Sequence, residues 1–204
     1  MNLAAEASSR DRILEAALDL FARHGYAGTS MRQIAAAVGM RASSLYSHFA
    51  GKEAILSALI EAYGPASSAG RLASPQYRAL QDDPAAFCRR YAADLLGQWL
   101  DPSERRFMEL LSAEPSRMGE HRAHFVETLF EREVGVAADY FRRFALAGRI
   151  RAPDPKECAR LFMAGLTFVR MQHVLMPAEP SPRAVIAEAL ERTVGNFLQL
   201  MEAK

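Results

Sequence analysis

Between Ser30 and Phe49 the chain carries side chains suited to reading a polyanion. Arg41, Ser43, Ser44, Tyr46, Ser47 and His48 fall within one short stretch. They supply a guanidinium, three short hydroxyls, a phenol and an imidazole, the groups that reach base edges and phosphate oxygens. From Leu20 to Lys52 there are four cationic residues, Arg23, Arg32, Arg41 and Lys52, and no Asp or Glu, although 24 of the 204 residues are acidic. Such a window is a local footprint for a phosphate backbone, even though the whole chain has a formal charge of only +1.

Other chemistries find less support. Cys88 and Cys158 are far apart in the chain, whereas metal and redox motifs cluster their ligands at short spacing, so both read as core thiols. His121 and His124 lie three apart but have no third ligand nearby, and a solvated helix face accounts for them. No nucleophile–base pair and no glycine-rich phosphate loop is evident, which disfavours an enzyme, and no cofactor or metal is expected. No apolar run approaches the ~20 residues that span a bilayer. Residues Met1 to Arg10 lack the apolar core of a secretory signal, so a cytoplasmic protein is expected.

The elements that must position the polar run are helical, and no alternating strand pattern appears. A first helix reads from about Arg10 to His24, with Ile13, Leu14, Ala17, Leu18 and Phe21 on one face and Gly25 as its stop. Ser30 and Gln33 form a capping box that starts a short helix, Met31–Val38. Gly39 permits a tight left-handed turn, Met40 is expected to bury, and a second short helix, Ala42–Phe49, follows with Leu45 and Phe49 inward. A fourth helix spans Lys52–Tyr63 and must stop at Gly64-Pro65. Residues 64–82 are poorest in structural signals and are the best candidate joint. Beyond them Asp83-Pro84, Asp101-Pro102, Asp154-Pro155 and Ser181-Pro182 repeat one start signal, a capping side chain before proline. They set helices near 84–100, 102–113, 155–175 and 182–201, with another pattern from about Gly119 to Ala147 closed by Gly148.

Residues 10–56 resemble the N-terminal DNA-binding domain of the TetR family of bacterial repressors. The matching residues are Ile13-Leu14, Ala17, Leu20-Phe21, Gly25-Tyr26, Thr29-Ser30, Ile34-Ala35, Val38-Gly39, Leu45-Tyr46, His48-Phe49 and Lys52-Glu53. The resemblance implies that the second short helix reads the DNA major groove. The DNA-contacting set is then Arg32, Arg41, Ala42, Ser43, Ser44, Tyr46, Ser47, His48 and Lys52. Arg41, Ser43 and Ser44 are expected toward bases, and Tyr46, His48 and Lys52 toward phosphates; Thr29 supports the turn. Family members often have serine where Arg41 stands, so the cap of the reading helix is missing here. Arg41 touches a guanine or a phosphate, or is a solvated arginine that adds positive field.

The resemblance to the remaining chain is one of layout. It implies an all-α protein in which an N-terminal three-helix helix-turn-helix domain (1–51) is joined by a linking helix to a C-terminal helical ligand-binding and dimerisation domain (52–204). By that resemblance the last two helices form a four-helix interface in a homodimer, with Leu161, Phe162, Gly165, Ile186, Leu190, Val194 and Phe197 expected there. An ordinary intramolecular core explains the stripe on 182–201 equally well. Trp99, Phe107, Met108, Phe168, Met171 and Gln172 are expected to line a mostly apolar cavity for a small hydrophobic effector. The function expected is a repressor released from a palindromic operator by that effector. The alternatives are a DNA-binding regulator without an effector and, disfavoured, a helical enzyme.

Overall fold

The computed structural model describes residues 8–63, 70–113 and 131–202. They form helices and turns, with no named strand among them. Two units are present: Met1–Gly64 with Pro102–Phe125, and Pro65–Asp101 with Val126–Lys204.

In the first unit, α1 (Ser9–Gly28) starts at Ser8, whose hydroxyl and backbone N–H share the Asp11 carboxylate in a capping box. Its apolar face, Ile13, Leu14, Ala17, Leu18 and Phe21, is buried. Where a stop was expected, at Gly25, the helix kinks and runs on to Gly28; the φ of 73° at Gly25 is open to glycine but costly for other residues. Two more helices, α2 (Met31–Ala37) and α4 (Lys52–Tyr63), pack on it, and α3 (Ala42–His48) packs on α2, with Ile34, Ala35, Leu45, Ile55, Leu56 and Leu59 buried.

A further helix, Pro102–Ala113, also belongs to this unit. Its Arg106 donates to Asp19 of α1 and to Ser103, and approaches Glu15 at 3.8 Å. Phe107 is fully buried, its ring 6.4 Å from that of Tyr63. The sequence boundary at residue 51 therefore does not coincide with this unit: α4 and the later helix contribute side chains to the same interior.

The second unit begins inside the expected joint. Ser74-Pro75 uses the same start signal as the later helices and opens a short helix, α5 (Pro75–Arg78), overlooked in the sequence. Leu72 and Tyr77 are fully buried there, and the Tyr77 hydroxyl donates to Asp94 at 2.8 Å. Next come α6 (Pro84–Trp99), α7 (the Pro102–Ala113 helix of the first unit), α8 (Arg132–Leu146), α9 (Pro155–Arg170), a π-helical turn (Met171–Leu175) and α10 (Arg183–Leu200). Asp83 and Asp154 cap α6 and α9 through their carboxylates, as their Asp-Pro pairs predict. Ser181 does not cap α10. Its hydroxyl lies 3.2 Å from His173 Nδ1, and the helix starts one residue later without a side-chain cap. The part of the expected 119–147 helix that carries His121, His124, Phe125 and Phe130 lies outside the described residues.

Aromatic rings fill this unit. Phe87 meets Tyr77, Tyr91, Tyr140, Phe141 and Phe144, and Phe141 meets Phe162 and Phe197, with centroids 4.5–6.3 Å apart. Edge-on and stacked arrangements at these distances add to the gain from burial. Cys88 and Cys158 are both buried in this interior as free thiols, as expected, and burial pushes the Cys88 thiol up to about 12. Phe141→Ala should cost about 3–5 kcal/mol, whereas Leu146→Ala, at a position 84 % exposed, should stay within about 0.5 kcal/mol. Urea unfolding followed by the fluorescence of Trp99, the single tryptophan and buried in the same unit, checks both.

Candidate nucleic-acid interface

The reading helix α3 is held from behind. Ser30 caps α2 through Gln33, with the box closed by bonds of 2.7 and 3.3 Å. At the other end of α2 the Gly39 N–H reaches the Ala36 carbonyl and the Met40 N–H reaches Ala35, closing the left-handed end that the sequence predicts, with Gly39 at φ 69°. Met40 is only half-buried. Leu45 and Phe49 anchor α3 inward at 0 % and 3 % exposure.

That anchoring leaves Arg41, Ser43, Ser44, Tyr46, Ser47 and His48 exposed together, with Ala42 half-buried at the start of the helix. Tyr46 is 54 % exposed, so its hydroxyl is turned to solvent and serves no core. Arg41 occupies the cap position and makes no capping bond. Its guanidinium, like that of Arg32, has no carboxylate within ion-pair reach among the described residues. The Ser47 hydroxyl donates to the Ser44 carbonyl at 2.7 Å, which leaves it an acceptor toward any outside group.

Lys52 is engaged within the protein. Its ammonium donates to the carbonyls of Tyr26 at 2.5 Å and Thr29 at 2.8 Å, and sits 4.3 Å from the Tyr26 ring centroid. A cation so engaged ties α4 to the corner between α1 and α2. Thr29 is buried and its hydroxyl lies 2.9 Å from the Gly25 carbonyl, supporting the turn as expected. Two cations escaped the sequence reading. Arg10 lies over the Phe49 ring at 4.5 Å, and Arg12 reaches the Val38 carbonyl at 3.4 Å. Both precede the carboxylate-free window, beside Asp11, which is why charge counting passed over them.

The expected interface and cavity residues are redistributed. Phe162, Ile186, Leu190, Val194 and Phe197 are at most 5 % exposed within their own chain, and a side chain so buried has almost no area left for a partner. Gly165 admits α10 of the same chain: a methyl there would stand 3.0 Å from Thr193 Cγ2. Only Leu161 of that set is exposed. Of the cavity set, Trp99 is buried with the Arg170 guanidinium 5.6 Å from its ring. Phe107 and the half-buried Met108 belong to the first unit. Phe168, Met171 and Gln172 are exposed, because the buried stripe of α9 runs through Phe162, Leu166 and Val169 instead. Beyond Trp99 the interior offers a buried Tyr91 hydroxyl that donates to Glu133, a pair the sequence reading missed.

Two family models match the chain. One, described as bacterial regulatory proteins of the tetR family, covers residues 13–59; the other, the C-terminal domain of AefR-like transcriptional repressors, covers residues 86–201. The chain is 39% identical over 54 residues to the HTH-type transcriptional repressor ComR of Escherichia coli (strain K12), a match spanning 26% of either protein. It is 37% identical over 54 residues to YerO of Bacillus subtilis (strain 168), an uncharacterized HTH-type regulator, spanning 26% of this chain and 19% of that one. Its fold is that of the flavonoid-responsive regulator FrrA, at TM-score 0.72 and 23% identity over 96% of this chain and 97% of that one. It is likewise that of SmeT, the repressor of the Stenotrophomonas maltophilia multidrug efflux pump SmeDEF, in complex with triclosan, at TM-score 0.72 and 21% identity over 96% and 92%.

Arg41→Ala should weaken binding by about 1–3 kcal/mol per half-site on a sequence selected from a randomised pool, and relax the preference at one base position. Repeating the selection with the variant checks this; an unchanged preference removes Arg41 from base reading.

Proposed function

The chain belongs to the TetR family of bacterial regulatory proteins, and on that premise we propose that it is a cytoplasmic repressor, a homodimer that leaves a palindromic operator when it takes up a small hydrophobic effector. The observation that carries the reading is the outer face of α3. It gathers Arg41, Ser43, Ser44, Tyr46 and His48 in solvent while its inner face is locked by Leu45 and Phe49. In this role Arg41, Ser43 and Ser44 meet base edges, Ala42 lets the helix approach the groove closely, and Arg32, Tyr46, Ser47 and His48 meet phosphates.

A second copy is supported by an apolar stripe left on the outside. Leu161, Ala164, Phe168, Met171 and Leu175 are all exposed and recur at intervals of three and four residues along α9 and the π-helical turn. That spacing is the seam by which helices pair. On this reading it takes the place of the buried residues of α9 and α10 as the interface. Phe168→Glu should therefore yield a folded monomer in sedimentation, with unchanged helical circular dichroism. Leu190→Glu should instead unfold the chain, because it puts a charge into the core.

On this reading the effector binds in the second unit near Trp99, where the Arg170 guanidinium over the indole ring is a polar group that can orient an otherwise apolar molecule. Only Leu100 and Asp101 separate α6, which carries Trp99, from α7, which is clamped to α1 by Arg106 and Asp19. Triclosan and flavonoids, to which the similar SmeT and FrrA are linked, are natural probes. A ligand that quenches Trp99 should weaken operator binding by a coupling of about 1–3 kcal/mol, and the operator should weaken that ligand equally. Titration with and without operator DNA checks the reciprocity, and identical affinities in the two series would remove the switch.

A further inference from the structure

A second acid-free stretch of the chain lies far from the reader in sequence. From Tyr140 to Pro153 it carries Arg142, Arg143, Arg149 and Arg151 with no Asp or Glu, and all four arginines are exposed. They surround the corner where α8 ends. Gly148, at φ 66°, turns the chain, with its N–H on the Ala145 carbonyl and that of Arg149 on the Phe144 carbonyl. Ile150 is buried and pairs with Glu202 in an isolated antiparallel bridge, and the Arg151 N–H donates to the Met201 carbonyl at 2.7 Å. This anchored backbone holds Arg149 and Arg151 in solvent on either side of a buried residue. Arg142 and Arg143 lie in the last turns of α8, where they oppose the negative end of the helix dipole and pair with Asp139 and Asp82. Arg149 and Arg151 lie beyond the helix, and among the described residues neither has a carboxylate within ion-pair reach. Asp154, the next acid along the chain, is engaged by the first N–H groups of α9. The same corner carries Leu146, 84 % exposed, and Leu200, 74 % exposed, the two most exposed large apolar side chains of the described residues. The bridge brings their helix ends together, since Leu146 closes α8 shortly before Ile150 and Leu200 closes α10 shortly before Glu202.

We propose that this corner is a docking site for an acidic segment of a partner protein, which sets carboxylates on Arg149 and Arg151 and an apolar side chain against Leu146 and Leu200. The charges are complementary, and the planar fork of arginine meets a carboxylate through two parallel bonds. A nucleic-acid backbone shares the charge but brings no apolar group to cover the leucines. The probe is a short labelled peptide of glutamates interspersed with leucines, titrated by anisotropy against the full chain, beside the same peptide with glutamine for glutamate. The glutamine peptide should bind at least about tenfold more weakly. The double variant Arg149→Gln, Arg151→Gln should weaken the acidic peptide about tenfold, and Leu146→Ser about threefold. Arg41→Ala, in the reader, should leave the peptide affinity unchanged. The double variant should retain wild-type affinity for a random-sequence duplex, and each variant is checked for native circular dichroism and melting temperature. Equal binding of the two peptides, binding of neither, or an unaltered affinity in the double variant overturns the proposal. So does loss of duplex binding, or of sedimentation with phosphatidylserine vesicles, in the double variant, because either assigns the corner to nucleic acid or to lipid instead.

Discussion

The Lys52 ammonium adds a polar tie between segments that otherwise meet through turns and apolar packing. Its bonds to the Tyr26 and Thr29 carbonyls connect the first residue of α4 to the corner that follows the Gly25 kink. Thr29 completes the corner from the other side by turning its hydroxyl inward to the Gly25 carbonyl. Ser30, the next residue, is the cap of α2, so the direction in which α2 departs is set where this corner is fixed. The α2–α3 turn at Gly39 then carries that direction to the reading helix. Few of these bonds are worth more than about 1–3 kcal/mol alone. They matter because they share atoms and neighbours, and a buried carbonyl left without its donor would bear the full penalty of desolvation.

The second unit solves a different problem. Its interior is packed with rings whose mutual orientation leaves little freedom for repacking, as protein interiors at crystalline density require. Once Phe162, Leu166 and Val169 of α9 face that interior, helical periodicity forces Leu161, Phe168 and Met171 outward. The apolar residues on the outside are a geometric consequence of a helix richer in apolar side chains than one face can bury. A chain that keeps such a surplus needs a second surface to cover it, and the similar spacing of the surplus residues makes a helix the fitting cover.

Charge is distributed with the same economy. Two acidic residues of the first unit are engaged within the protein: Asp11 in the Ser8 cap, and Asp19 with Arg106 and Arg23. Arg10, Arg32 and Arg41 lack such partners among the described residues. Net charge conceals this arrangement, because a carboxylate adjacent in sequence can be distant in function.

The sequence by itself determined the local structure of the reader and the class of the protein. Ser30, Gln33, Gly39, Leu45 and Phe49 act through neighbours three to six residues away, and interactions of that range are written in spacing. The caps at Asp83 and Asp154 were legible for the same reason, whereas Ser181 was claimed by His173, a partner no local rule supplies. Tertiary structure alone decided which apolar face of α9 is inside, that the residues after Gly70 join the core through Leu72 and Tyr77, and that Pro102–Ala113 packs with the reader. It also decided which groups meet the Lys52 ammonium and the Arg10 guanidinium. Periodicity reports that a face is apolar but not what covers it. Composition reports that a charge exists but not which group, tens of residues away, neutralises it. Both are settled only when the chain brings those distant groups together.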